Sequence, residues 1–158
     1  LVVASADCVP LLFWDERTNA VAAVHAGWRG TLANAAAAAV AELESARGVK
    51  AQELRVAMGP AIRACCFEVG EEVVAAFDGS GRDMRRIVRT GASPTGRTHL
   101  DLIEDNRIQL REAGIPDDRI YDSNRCTVCD NERFYSFRKE GEGVGRVLGM
   151  IAPRPNRS

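Results

Sequence analysis

Cys8, in Ala6-Asp7-Cys8-Val9-Pro10, and His25, in His25-Ala26-Gly27-Trp28-Arg29-Gly30, each place a soft metal ligand or nucleophile at the end of an apolar run. Leu11–Trp14 and Ala20–Val24 are bounded runs of strand length, and Thr18-Asn19 between them has turn character. A hairpin built this way brings Cys8 and His25 together, with Asp7 and Arg29 as charged neighbours. A thiol beside an imidazole and a guanidinium can be a metal site or an activated nucleophile. Each residue also has a quieter reading, cysteine as a small buried hydrophobe and histidine as a hydrogen-bonded core residue. Gly27 and Gly30, flanking an indole and a guanidinium, permit a tight turn that leaves His25 at the rim.

Two further stretches carry chemistry-bearing residues. In Gly59–Gly70 a Gly-Pro turn ends a strand, and the backbone amides of the helix that follows can bind an anion such as phosphate. Cys65 and Cys66 within it read as space-filling. Cys126-Thr127-Val128-Cys129 has the form of half a structural zinc site, but such a site needs four ligands. Cys65, Cys66 and His99 stand at no recognised spacing from it, which argues against a zinc knuckle. Arg138 and Lys139, after Phe134-Tyr135-Ser136-Phe137, suit anion recognition through guanidinium and ammonium donors. His99 is read as ordering the start of the helix that follows it.

The elements that must position these residues follow from pattern. Leu1–Ala4 reads as a strand. The alanine-rich Thr31–Arg47 predicts one helix, stopped by Gly48. Leu54–Met58 is a strand and Val69–Phe77 a short helix with Glu71 and Glu72 in its first turn. Residues 78–98 are rich in glycine, arginine and serine, with only Ile87-Val88 strand-like, and are expected to be mobile or to form a lid. Leu100–Ala113 predicts a helix closed by Gly114 and Pro116, Ile120-Tyr121 and Val147–Ile151 predict strands, and Pro153–Ser158 a loose tail. An early hairpin followed by interleaved helices and strands favours an α+β fold with mixed β-sheets and flanking helices.

A chain of 158 residues suits a single domain, here 1–158. A formal net charge of -1 gives no electrostatic case for nucleic acid or an anionic membrane as partner. Arg82, Arg85, Arg86, Arg89 and Arg97 cluster without interleaved aromatic residues and read as a solvated loop. No apolar run approaches the roughly 20 residues of a membrane span. Five cysteines, an odd number with one adjacent pair, make a poor disulfide framework, so reduced thiols in a cytoplasmic protein are expected.

Ser5-Ala6-Asp7-Cys8-Val9-Pro10, His25–Gly30, Gly59–Gly70, Cys126-Thr127 and Phe134–Lys139 together resemble the successive motifs of one family. It is the laccase-domain or multicopper polyphenol oxidase family of the YfiH type, now described as metal-dependent purine nucleoside phosphorylase with adenosine deaminase activity. The resemblance covers nearly the whole chain. It implies a layered α/β/β/α fold shared with a bacterial deamidating toxin, and a metal site of one cysteine and two histidines. Cys8 and His25 match two of those ligands. The third histidine is expected upstream of Leu1, in an N-terminal part of the family domain that this sequence does not include. Ser5, Arg63, Phe67 and Lys139 depart from the family pattern, and Arg63 and Lys139 are expected to retune anion binding.

The resulting expectation is a zinc-dependent enzyme acting on adenosine, inosine, guanosine and methylthioadenosine. Cys8, His25 and Asp7 would be catalytic, Arg29 and Arg138 would hold phosphate, and His99 is the reserve third ligand. The partners are a purine nucleoside and phosphate, and the protein is a monomer or weak homo-oligomer. Copper-dependent phenol oxidation is the first alternative, but a multicopper site needs roughly ten histidines. The chain has 2. A metal-free Cys8–His25 hydrolase and a non-catalytic fragment are the others.

Overall fold

The computed structural model describes residues 1–89 and 97–155. Strands β1 (Val2–Ser5), β2 (Val9–Trp14) and β3 (Val21–Ala26) open the chain. The expected hairpin is present, and it runs longer than the apolar pattern indicated. Its ladder pairs Val9 with Ala26 and Trp14 with Val21. The turn is closed by Asp15, whose carboxylate accepts from the Thr18 backbone N–H at 2.8 Å, with Asn19 in the left-handed region at φ 57°. Val9, Leu11 and Phe13 alternate with residues of the opposite face and are fully buried, as a pleated strand with one core face requires.

The single helix predicted over 31–47 is two helices, α1 (Trp28–Leu32) and α2 (Ala35–Arg47). The break is Asn34, left-handed at φ 59°, a conformation asparagine tolerates better than most residues. Carbonyls freed by the break are taken up by side chains. Arg82 donates to Thr31 O at 2.7 Å, Leu32 O at 3.2 Å and Asn34 Oδ1 at 2.8 Å, and Gln109 Nε2 donates to Thr31 O at 2.9 Å. Arg82 also pairs with buried Asp105 at 2.7 Å. It is therefore a structural cation, which corrects its assignment to a solvated loop. Arg85 and Arg86, exposed beside Asp83 and Glu104, fit that assignment.

Strand β4 (Arg55–Met58) follows, then α3 (Glu71–Asp78), α4 (Met84–Ile87), β5 (Val88–Arg89), β6 (His99–Leu100), α5 (Leu102–Glu112), β7 (Ile120–Asp122), α6 (Phe137–Glu140) and β8 (Val147–Met150). The strand expected at Ile87-Val88 begins one residue later and pairs with β6, and α4 before it was not foreseen. The lid or mobility expected over 78–98 falls partly on residues 90–96, and the tail partly on 156–158. Both lie outside the described residues.

One sheet has the order β3-β2-β4-β7, antiparallel except for the parallel β4–β7 pair. Val40 and Leu43 of α2, and Ile103 and Leu110 of α5, share a core with Leu11, Phe13, Val56 and Met58 of the sheet. β1 and β8 form an antiparallel ribbon over the sheet's other side. Gly149 permits that approach, because a Cβ there would meet Val3 at 3.0 Å, Pro10 at 3.5 Å and Leu12 at 3.6 Å. The architecture is α+β with mixed sheets and flanking helices. Among the described residues no helix is long and apolar enough to cross a membrane.

Candidate active site and a cysteine cluster

The β2–β3 ladder sets Pro10 opposite His25. Cys8 lies just beyond its end, next to Gly27. A Cβ added to Gly27 would fall 2.8 Å from Cys8 Sγ and 3.9 Å from His25 Nε2, so the two donor atoms flank one point. Glycine is needed there for space, since Gly27 has an ordinary φ of -74°. His25 Nδ1 lies 3.0 Å from Ala4 O. A carbonyl only accepts, so that nitrogen is the donor, and in the neutral ring Nε2 is the nitrogen left free to ligate.

Burial and the neighbouring Asp7 carboxylate push the Cys8 thiol above its usual range, while the Arg146 guanidinium works against them. Such a thiol stays protonated at neutral pH unless a cation takes the proton's place, which weakens the metal-free hydrolase reading. Arg146 was missed from sequence. It sits in the glycine-rich approach to β8, where nothing in the pattern connects it to Cys8.

Asp7 is buried and left-handed at φ 87°. Its Oδ1 accepts from Thr127 Oγ1 at 2.6 Å and its Oδ2 from the Arg138 backbone N–H at 2.6 Å. The carboxylate ties three distant segments together. The Arg138 guanidinium reaches back to Glu68 O at 2.9 Å and Cys66 O at 3.4 Å, with its carbon 5.5 Å from the Phe67 ring. Arg29 is exposed on α1 and stacks on Trp28 at 4.2 Å.

Two anion expectations change. A Cβ on Gly70 would fall 2.2 Å from Glu72 Oε2, so a carboxylate already sits at the start of α3 where phosphate was expected. Arg63 does not face an anion subsite either, because its fork is held by Asp122 at 2.9 Å on both arms. Burial would raise the Asp122 carboxyl. The Arg63 fork, the Asn124 backbone N–H and the charges of Arg63 and Arg107 outweigh it and hold the group below the usual carboxylate range.

Cys65, Cys66, Cys126 and Cys129 converge, with all four sulfurs within 4.8 Å of one another, in a cluster that could hold a metal ion. Cys65 and Cys66 are therefore not simple core fillers, and the fold brings them to Cys126 and Cys129 although they stand at no recognised spacing from that pair. Burial and the adjoining Cys126 sulfur push the Cys65 thiol up to about 11. His99 stays out of both sites. Among the described residues only these cysteines bring three or more His, Cys, Asp or Glu donors together, so the reserve ligand does not join Cys8 and His25. It is buried in β6, with Nδ1 3.1 Å from Arg97 O.

Comparison with known proteins places this geometry in a family. The chain is 39% identical over 151 residues to a purine nucleoside phosphorylase of Bacteroides thetaiotaomicron, covering 96% of this chain and 56% of that protein. It is 41% identical over 149 residues to adenosine deaminase RL5 from an unknown prokaryotic organism, covering 94% of this chain and 56% of the relative. The crystal structure of YlmD from Geobacillus stearothermophilus superposes with a TM-score of 0.88 at 37% identity, covering 98% of this chain and 57% of that one. The chain thus spans a little over half the length of each of these three relatives. The profile of the multi-copper polyphenol oxidoreductase laccase family matches residues 1–154, and the chain belongs to that family.

Proposed function

We propose that this chain carries the Cys/His portion of a purine nucleoside phosphorylase that also deaminates adenosine. The observation that carries the reading is the convergence of Cys8 Sγ and His25 Nε2 around Gly27, with the imidazole tautomer fixed by Ala4 O. The names of the relatives at 39% and 41% identity support the substrate class. A thiol and an imidazole whose Nδ1 is already engaged fit zinc as donors, and glycine at position 27 keeps a side chain from crowding them. By the family resemblance the third ligand would be a histidine. Zinc, when bound, supplies a Lewis acid for polarising water or a substrate oxygen.

The chain's own residues do the positioning. In phosphorolysis a phosphate oxygen bonds to ribose C1, the bond from C1 to the purine nitrogen breaks, and the purine leaves with the electron pair and takes up a proton. Arg29 and Arg138 hold the phosphate. The side chain of Arg138 is steadied by Glu68 O, and its backbone by Asp7. Asp7, with each oxygen accepting one hydrogen bond, positions the Cys8 and Arg138 segments. We place the protein in the cytoplasm, where thiols such as these remain reduced.

The test is phosphate-dependent release of hypoxanthine from inosine, and hydrolytic release of ammonia from adenosine without phosphate, by the full-length protein. Cys8→Ala and His25→Ala should abolish both, and Arg29→Ala or Arg138→Ala should raise the KM for phosphate. Full turnover by Cys8→Ala would remove the reading.

A further inference from the structure

We propose that Cys65, Cys66, Cys126 and Cys129 form a tetrathiolate site for zinc or a similarly thiophilic divalent cation, and that this ion staples the loop after β4 to the loop after β7. None of its donors is Cys8 or His25, so the proposal does not rest on the nucleoside reading.

The site follows from topology. β4 and β7 are parallel neighbours, with Met58 beside Asp122, so both chains leave the sheet at the same end. They continue side by side. Ala61 bridges to Cys126, the Ala61 N–H donates to Arg125 O at 3.3 Å, and the Thr127 N–H donates to Ala61 O at 3.1 Å. Each loop then turns tightly. The Cys66 and Phe67 N–H groups both donate to Arg63 O at 2.9 Å, and the Asp130 N–H donates to Cys126 O at 2.9 Å. One turn presents adjacent cysteines and the other a CxxC pair, aimed at each other.

The spacing suits an ion. Zinc–sulfur bonds of about 2.3 Å in a tetrahedron put the sulfurs about 3.8 Å apart. Here Cys65 Sγ lies 3.7 Å and Cys66 Sγ 3.4 Å from Cys129 Sγ, with every pair inside 4.8 Å. Binding would release the thiol protons to solvent and leave a soft, closed, four-sulfur shell of the structural type.

The staple also bears on the neighbouring chemistry. Thr127, inside the CxxC turn, holds Asp7, and Cys66 O with Glu68 O holds Arg138. An ion fixing the two turns would hold the supports of Cys8 and Arg138 in register without touching either.

The experiment uses the full-length protein, reduced and handled without oxygen, with cobalt(II) as the optical probe and zinc as competitor. Cobalt should produce thiolate-to-metal charge-transfer absorption and d–d bands of tetrahedral intensity, displaced by one equivalent of zinc in Cys8→Ser, where the Cys8–His25 pair no longer competes for it. Cys8→Ser should keep this signature. Cys66→Ser and the exposed Cys129→Ser should weaken cobalt binding by about a hundredfold or more. Circular dichroism on each variant verifies that it is folded, and for a variant that is not, zinc protection of the four wild-type thiols from alkylation, read by peptide mapping, replaces it. The proposal fails if no charge-transfer band forms while all four thiols are titratable. It also fails if the band is lost in Cys8→Ser but kept in Cys129→Ser, or if mapping finds a Cys66–Cys129 disulfide in the freshly isolated protein in place of metal.

Discussion

The Thr127 hydroxyl donates to Asp7 Oδ1 at 2.6 Å, joining the end of the strand pair that carries Cys8 to the turn that carries Cys126 and Cys129. Both residues are buried, so neither can replace the other with water. Thr127→Val keeps the shape and leaves a carboxylate oxygen unpaired, which should cost about 1–3 kcal/mol. Thr127→Ser should recover most of it. Urea denaturation of the three proteins checks the order, and equal midpoints for valine and threonine would show the bond contributes nothing.

Gly27→Ala should separate stability from function. Its Cβ would meet Cys8 Sγ at 2.8 Å, and the flanking backbone needs no positive φ, so the strain falls on the sulfur. The expected stability loss is about 1–3 kcal/mol, as for other small overpacking changes. Turnover in the full-length protein should fall by about a hundredfold, because a displacement of about 1 Å at a reacting group costs that much. Thermal melts alongside nucleoside assays measure both.

Arg82→Met should be among the most destabilising single changes. It strands Asp105, whose side chain is 3% exposed, and orphans carbonyls at the α1–α2 break. Removing one partner of a buried pair costs about 3–5 kcal/mol. Asp105→Asn in the same chain should restore part of it by removing the uncompensated charge. No recovery in the double variant would assign the loss to the Thr31 and Leu32 carbonyls instead.

The Arg63–Asp122 fork predicts an acid-dependent stability difference. Asp122 titrates below its unfolded value, so its contribution is full above that value and is lost as pH falls through the folded one. Arg63→Met should be less stable than wild type by about 1–3 kcal/mol at neutral pH. That gap should hold down to about pH 4, the unfolded carboxylate range, and close below it. Denaturation from pH 7 to pH 2.5 checks it, and a gap that widens on acidification would reverse the assignment.

The hairpin, the α5 helix with its Gly114 stop and the placement of Cys8 beside His25 were legible because each rests on local periodicity or on residues close in sequence. The break at Asn34 was not. Alanine-rich flanks mask it, and what stabilises it is Arg82 and Gln109, far along the chain. The cysteine cluster was hidden for a related reason. Its halves follow strands whose parallel pairing no sequence spacing encodes, so the two pairs looked unrelated. Asp7 was singled out for its charge, whereas the structure uses its two acceptor oxygens and its positive φ.

The carbonyl that orients His25 belongs to Ala4, and Ala4 lies in a ribbon paired with Leu148 near the far end of the chain. Contacts of such sequence separation close late, since a long loop must lose its freedom before they form. The hairpin can therefore bring Cys8 and His25 together early in folding, but the imidazole is held in one tautomer only after the first and last strands have met. Competence at this site should trail the recovery of secondary structure in a refolding time course, and it should be the first property lost when the ribbon frays.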